Sequence, residues 1–256
     1  MKSNDNSNFS KCRINEIPVI ICTNEDTSPK PLVIFSHGFS GNKEFWKEYM
    51  KELAELGYYT VAIDNRLHGE RNDEGFSSVL SSDGKVDFYK VFKAIKLNAE
   101  DIKQVLDYFT KKAEIDKTRI AMVGISMGGF TTYRTVVIDN RIKVAIPIIA
   151  SPVWGDLPRD TPVNNNSEII GRFNNLSGKF SPSKFLDLFY PTALLMQAGS
   201  KDIHFDVNKL KKFYEDIKQY YVYDTSKLEL IIFEGVKHEF TKEMWDNAKS
   251  WLARFL

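Results

Sequence analysis

The chain has 256 residues, 43% of them hydrophobic and 27% charged, an ordinary globular composition that excludes disordered, collagen-like and coiled-coil chains. An α/β fold of this length runs as one unit, and folding removes roughly 70–75% of the unfolded chain's surface from water, enough for a core without staples. With 35 Lys+Arg against 34 Asp+Glu the net charge is +1, so no overall field holds nucleic acid or an anionic membrane.

The longest apolar run, 144–150, has seven residues, far short of the ~20 a membrane helix needs. The N-terminus, MKSNDNSNFSKCRINE, lacks the apolar stretch of a signal peptide. Residues 1–11 read as a polar tail, and the expected location is cytoplasmic. Two cysteines, Cys12 and Cys22, make neither a disulfide framework nor a metal cluster. On one continuous strand they would stand about 33 Å apart, so both are expected to be reduced thiols.

In chain order, 17–22 (IPVIIC) and 32–36 (LVIFS) read as short β-branched strands. Residues 43–56 carry Phe45, Tyr49, Leu53 and Leu56 at helical spacing, and Gly57 stops the helix. Strand 58–63 (YYTVAI) leads into a long polar loop with Gly69, Gly75 and Gly84. Residues 87–113 form one long helix or two. Strand 119–125 (RIAMVGI), helix 127–138 and strand 142–149 follow. At 151–190 the alternation stops. Four prolines, an asparagine run and the aromatics Trp154, Phe173, Phe180, Phe185 and Phe189 mark an insertion with short helices. Strand 192–197, helix 206–218, strand 227–233 and helix 240–255 close the chain. Apolar strands alternating with helices predict a mostly parallel sheet covered on both faces, one domain over 1–256 with 151–190 as a small cap.

Four loops carry chemistry. Gly124-Ile125-Ser126-Met127-Gly128 follows an apolar strand and opens a helix, the context of a nucleophile elbow. Small residues flank Ser126 because the turn is strained and neighbouring backbone passes close by. His37-Gly38-Phe39 follows strand 32–36. Acyl transfer needs two N–H donors aimed at the developing oxyanion, and Met127 and Phe39 stand where those donors belong. His37 itself reads as a brace for its loop. Asp202, in QAGSKD, follows strand 192–197 at the carboxyl edge where parallel sheets assemble sites; its rival Asp206 suits a helix N-cap better. His238, in GVKHEF, follows strand 227–233. Its rival His204 lies only two residues past Asp202, too close for that carboxylate to orient its ring while both reach the serine. The order Ser…Asp…His is the α/β-hydrolase order.

On these residues the chain resembles the α/β-hydrolase superfamily, and within it the compact esterases grouped with dienelactone hydrolase and the catalytic domain of prolyl oligopeptidase. The likeness is carried by HGFSGNKE at 37–44, DNRLHGE at 64–70, GISMGG at 124–129, QAGSKD at 197–202, KHEF at 237–240 and WL at 251–252. It covers residues 17 to 256. It implies a Ser126–His238–Asp202 triad with Phe39 and Met127 as oxyanion donors, acting on a small acyl ester without metal or organic cofactor. Dienelactone hydrolase itself uses cysteine where this chain has Ser126, so that activity does not carry over, and the propeller of prolyl oligopeptidases has no counterpart. Peptidase or thioesterase chemistry on the same triad is the alternative; a non-catalytic ligand-binding protein on this fold is the alternative of another class. Among the aromatics of 151–190, Trp154 stands nearest a strand end and is the expected substrate contact, as part of an acyl pocket or lid; otherwise these rings bury the insertion on the body. Arg66 and His68 line the site mouth, brace the His37 loop, or belong to an internal salt-bridged loop.

Overall fold

A computed structural model describes residues 9–72, 79, 85–155 and 167–256. Eight strands form one sheet: β1 (Phe9–Ile14), β2 (Ile17–Cys22), β3 (Lys30–Ser36), β4 (Tyr59–Ile63), β5 (Ile115–Ile125), β6 (Val144–Ile148), β7 (Ala193–Gly199) and β8 (Leu228–Phe233). The order across the sheet is β1-β2-β4-β3-β5-β6-β7-β8. β1 with β2 and β2 with β4 are antiparallel; the remaining pairs are parallel.

The central strands read as unbroken apolar runs because both faces are covered. Along β3, Leu32 and Ile34 enter one core and Val33 and Phe35 the other. Along β7, Leu194, Met196 and Ala198 alternate with Ala193 and Leu195 in the same way. The first core is closed by α2 (Phe88–Phe109), α3 (Met127–Ile138) and α5 (Val207–Ile217), the second by α1 (Lys47–Glu55) and α6 (Lys242–Phe255). Thus 87–113 holds one helix, capped at its start by the Asp87 carboxylate, which accepts the Lys90 N–H at 3.1 Å. Helix 43–56 begins as a 3₁₀ turn before α1.

Two expectations change. Residues 9–11, read as tail, begin the edge strand β1, in which Ile14 alone is buried. An edge strand facing water needs no apolar run, so its composition resembles a tail. It turns at Asn15, with φ of 52°, a conformation asparagine tolerates. Cys12 and Cys22 accordingly sit on neighbouring antiparallel strands, opposite Val19 and Phe9, and both are free thiols. In the insertion, 156–166 lies outside the described residues. Its second half forms α4 (Ser167–Phe180) and two 3₁₀ turns, with α4 packed against α2. The polar loop predicted after β4 lies in part outside the described residues, at 73–78 and 80–84. Among the described residues no helix is long and apolar enough to cross a membrane.

Candidate active site

β5 ends at Ile125 and α3 starts at Met127, so Ser126 alone makes the turn. Its φ of 50° and ψ of −118° lie where a side-chain-bearing residue pays about 1–3 kcal/mol. Its surroundings hold it there. The Ser126 N–H donates to the Ile148 carbonyl at 2.9 Å, and the Ser126 carbonyl accepts from the Phe130 N–H at 2.9 Å. A Cβ on Gly124 would stand 2.2 Å from the Gly128 oxygen, and one on Gly128 only 2.0 Å from the Ser36 oxygen. The glycines of this motif are therefore required by contact between β3, β5 and α3. At the helix start, the N–H groups of the first turn lack intrahelical acceptors and carry partial positive charge toward the serine.

His238 and Asp202 arrive from two loops that touch. A Cβ on Gly199 would lie 2.3 Å from the Val236 oxygen, and the Lys201 N–H donates to that same carbonyl at 2.9 Å. This contact brings His238 Nδ1 to 2.7 Å from Asp202 Oδ2. The carboxylate side chain is fully buried and can only accept, so it fixes the proton on Nδ1 and leaves Nε2 as an acceptor. Ser126 Oγ then donates to Nε2 at 2.8 Å. The second carboxylate oxygen, Oδ1, accepts the His204 N–H at 2.9 Å, which stops the carboxylate from rotating.

The rivals have other places. Asp206 caps α5, accepting the Asn208 N–H at 2.9 Å. His204 is exposed and its ring centroid lies 4.2 Å from that of His238. His37 is fully buried. Its Nδ1–H donates to the Gly38 carbonyl at 2.7 Å and its Nε2 accepts the Asn65 N–H at 3.0 Å. Burial lowers its pKa to about 4, so it is a neutral brace at ordinary pH. Among the described residues the 64–72 loop is salt-bridged to its neighbours and not within itself: Arg66 makes a two-pronged pair with Asp101 of α2 at 2.8 and 2.7 Å, and Arg71 joins at 2.8 Å. Buried Lys43 reaches Asp64 and Glu70, each at 2.6 Å. His68, whose pKa burial also lowers, packs its ring edge-on to Phe39 at 5.2 Å, so this loop supports the loop that carries Phe39.

A cavity of about 160 Å³ opens at these residues, lined by Phe39, Ser126, Met127, Phe130, His204 and His238. Gly38 lies beside the serine, a Cβ there standing at ordinary contact distance, 3.5 Å, from Ser126 Cβ. Phe39 and Met127, the expected oxyanion donors, line the cavity together with Ser126. Among the described residues the rest of the wall is Val86 with Phe88, Val91, Phe92 and Ile95 on the first two turns of α2. This set escapes the sequence reading. Its signal is the spacing i, i+3, i+4, i+7, which extends the apolar stripe of α2 beyond the sheet. The expectation for Trp154 is corrected: it does not line the cavity but is buried behind Phe92, ring centroids 5.2 Å apart. The short segment after β6 turns its indole inward, onto a cluster shared with Phe173 and Leu176 of α4.

The parallel sheet, the serine elbow and the convergent loops define an α/β-hydrolase. The chain belongs to the hydrolase family described as "Serine aminopeptidase, S33", whose model matches residues 27–188. It is 27% identical over 259 residues to "Putative esterase YitV" of Bacillus subtilis (strain 168), covering 95% of this chain and 97% of that protein. It superposes on TT1662 from Thermus thermophilus with a TM-score of 0.77 at 20% identity, over 97% of each chain. A dienelactone hydrolase-like protein from Klebsiella pneumoniae subsp. pneumoniae MGH 78578 gives 0.68 at 15% identity, over 97% of this chain and 99% of that one. At such identities the two structures speak for the fold alone.

Proposed function

We propose that this protein is a serine esterase that hydrolyses small carboxylic esters through an acyl-enzyme. The observation that carries the reading is the unbroken hydrogen-bonded line from Ser126 Oγ through His238 to Asp202, at 2.8 and 2.7 Å, beginning at a strained serine. His238 Nε2 takes the hydroxyl proton as Ser126 Oγ attacks the carbonyl carbon, and the carbonyl electron pair moves onto oxygen. The Phe39 and Met127 N–H groups stabilise that oxyanion. Asp202 holds the imidazole tautomer and offsets the positive charge of the imidazolium. His238 then protonates the leaving alcohol as the C–O bond breaks, and a water molecule repeats the sequence to free the acid. No cofactor enters the scheme. Residues 151–190 act as the cap of one domain, a role supported by the packing of α4 on α2. The protein works in the cytoplasm, where its two free thiols stay reduced.

The family's description as a serine aminopeptidase favours a second reading, amide cleavage by the same residues. Intact-mass labelling with a fluorophosphonate tests the common part: one adduct on the wild type and none on Ser126→Ala is expected. A folded wild type that takes no adduct overturns it and leaves the non-catalytic alternative. A panel of esters, thioesters and peptides then separates esterase from thioesterase and peptidase.

A further inference from the structure

The cavity at Ser126 has two unlike sides. His204 and His238 come from the loops after β7 and β8, on one side of β5 in the strand order. On the other side lies α2, whose far end packs Phe109 against Tyr59 of β4, ring centroids 5.6 Å apart. The leaving oxygen must meet His238 Nε2, and the carbonyl oxygen must face the Phe39 and Met127 N–H groups. The remaining substituent of the carbonyl carbon, the acyl chain, then points toward α2. Among the described residues it meets hydrocarbon there: Val91, Phe92 and Ile95, with Phe130 of α3 beside them.

We infer that the acyl half of the substrate is compact and uncharged, no larger than a benzene ring, and that Val91, Phe92 and Ile95 set its limit; this rests on the esterase reading above. The described residues leave about 160 Å³ for the two sides of the cavity together, and an apolar protein cavity of roughly 150 Å³ accepts benzene, so a benzene ring is the upper bound for the acyl half. The wall is firm. Phe92 is wedged edge-on against Phe130 at 5.6 Å, Trp154 at 5.2 Å and Phe173 at 5.2 Å, and Ile95 is buried. An acyl group carrying an ammonium loses its hydration against these side chains without gaining a partner from them. The inference therefore favours simple carboxylic esters over substrates with a free amino terminus.

The test is a series of p-nitrophenyl esters from acetate to dodecanoate on wild type, Ile95→Ala and Val91→Phe, with fluorophosphonate labelling run alongside. For the wild type, kcat/KM rises about fourfold per methylene as apolar surface is buried, peaks between butyrate and hexanoate, and falls about tenfold or more by decanoate as the cavity overfills. Ile95→Ala moves the peak to longer chains. Val91→Phe, on a half-buried position that tolerates a larger ring, lowers the hexanoate-to-acetate ratio about tenfold. The β-alanine ester, nearly isosteric with butyrate, is turned over at least ~tenfold more slowly. A labelled enzyme whose profile stays flat or climbs through dodecanoate, whose peak ignores both substitutions, or which prefers the β-alanine ester overturns this inference alone. Absence of both label and ester turnover overturns it together with the esterase reading.

Discussion

Replacing His37 with glutamine isolates a pH-dependent contribution to stability. His37 is fully buried with both ring nitrogens engaged, and burial lowers its pKa from 6.5 to about 4. In the unfolded chain the ring takes up a proton near pH 6.5; in the folded protein it does not until about pH 4. Between those values the unfolded state binds more protons, so stability is present above about pH 6.5 and is lost as pH falls. Integrating the linkage gives a loss of about 2 kcal/mol by pH 5 and about 3 kcal/mol by pH 4, a large part of the ~5–15 kcal/mol that holds a typical domain together. Glutamine has no proton to gain, so its stability lacks this slope. It also loses at least one of the two ring hydrogen bonds, which costs about 1–3 kcal/mol at every pH. Urea unfolding of both proteins from pH 8 to pH 4 at constant ionic strength measures the gap. The protein with His37 is the more stable at pH 8, and the gap shrinks by about 3 kcal/mol by pH 4. Groups remote from His37 titrate in both proteins and cancel in the difference; His68, whose ring centroid lies 5.5 Å from that of His37 and whose charge adds to burial in lowering the His37 pKa, is removed from the comparison by carrying His68→Gln in both proteins. A gap that stays constant within about 1 kcal/mol would refute the neutral-brace account of His37.

Ser126→Ala should lower kcat on esters by about 10⁶, and Asp202→Asn by about 10⁴. In the latter the amide N–H turns the imidazole to its other tautomer and puts a proton on Nε2, facing Ser126; steady-state kinetics on a p-nitrophenyl ester reads both, and losses under tenfold would be incompatible with the scheme. Tyr133 is fully buried, and its hydroxyl has no hydrogen-bond partner among the described residues. Tyr133→Phe should therefore stabilise the protein by about 1 kcal/mol or more, a rise of roughly 2–4 °C in Tm by calorimetry; a fall in Tm would mean the hydroxyl is satisfied. Gly128→Ala places a methyl 2.0 Å from the Ser36 oxygen, a backbone atom that no side-chain motion relieves. It should cost about 3 kcal/mol in chemical denaturation and reduce activity beyond that, because Ser36 leads directly into the Phe39 loop; a neutral result would mean β3 and α3 lie further apart.

What the sequence makes legible divides along physical lines. The strands of the sheet centre are legible because two-sided burial forces an apolar run, and β3 and β7 alternate between the two cores residue by residue. The elbow is legible because its requirement is local: Gly124 and Gly128, two positions either side of Ser126, must lack a Cβ for β3, β5 and α3 to meet. Asp202 and His238 are legible because each stands in the loop just past an apolar strand and, with Ser126, in the order Ser…Asp…His. β1 is illegible because an edge strand facing water carries no burial pattern. The cavity wall on α2 is illegible for the opposite reason. Phe88, Val91, Phe92 and Ile95 continue the same stripe that farther along supplies Ile102, Val105 and Phe109 to the core. Nothing in the residue types marks where the stripe leaves the sheet and faces the site.

The same division explains why Trp154 misleads. An aromatic just past a strand at the site edge has two ways to contribute, by touching a ligand or by fixing what touches it. Trp154 takes the second: its ring meets Phe92, and its backbone N–H and the Pro152 carbonyl are joined through Ser181, 2.9 and 3.0 Å from its hydroxyl. That bridge ties the start of the insertion to the end of α4. It thereby sets the position of the helix that packs on α2 and of the ring that backs Phe92. The described part of the insertion accordingly backs the cavity wall from behind, and variation at Trp154, Phe173 or Ser181 reaches the site by moving α2 side chains. Sequence position identifies which segments meet at the sheet edge; the direction each ring points is decided by three-body packing among Phe92, Trp154 and Phe173, which no pattern within one segment encodes.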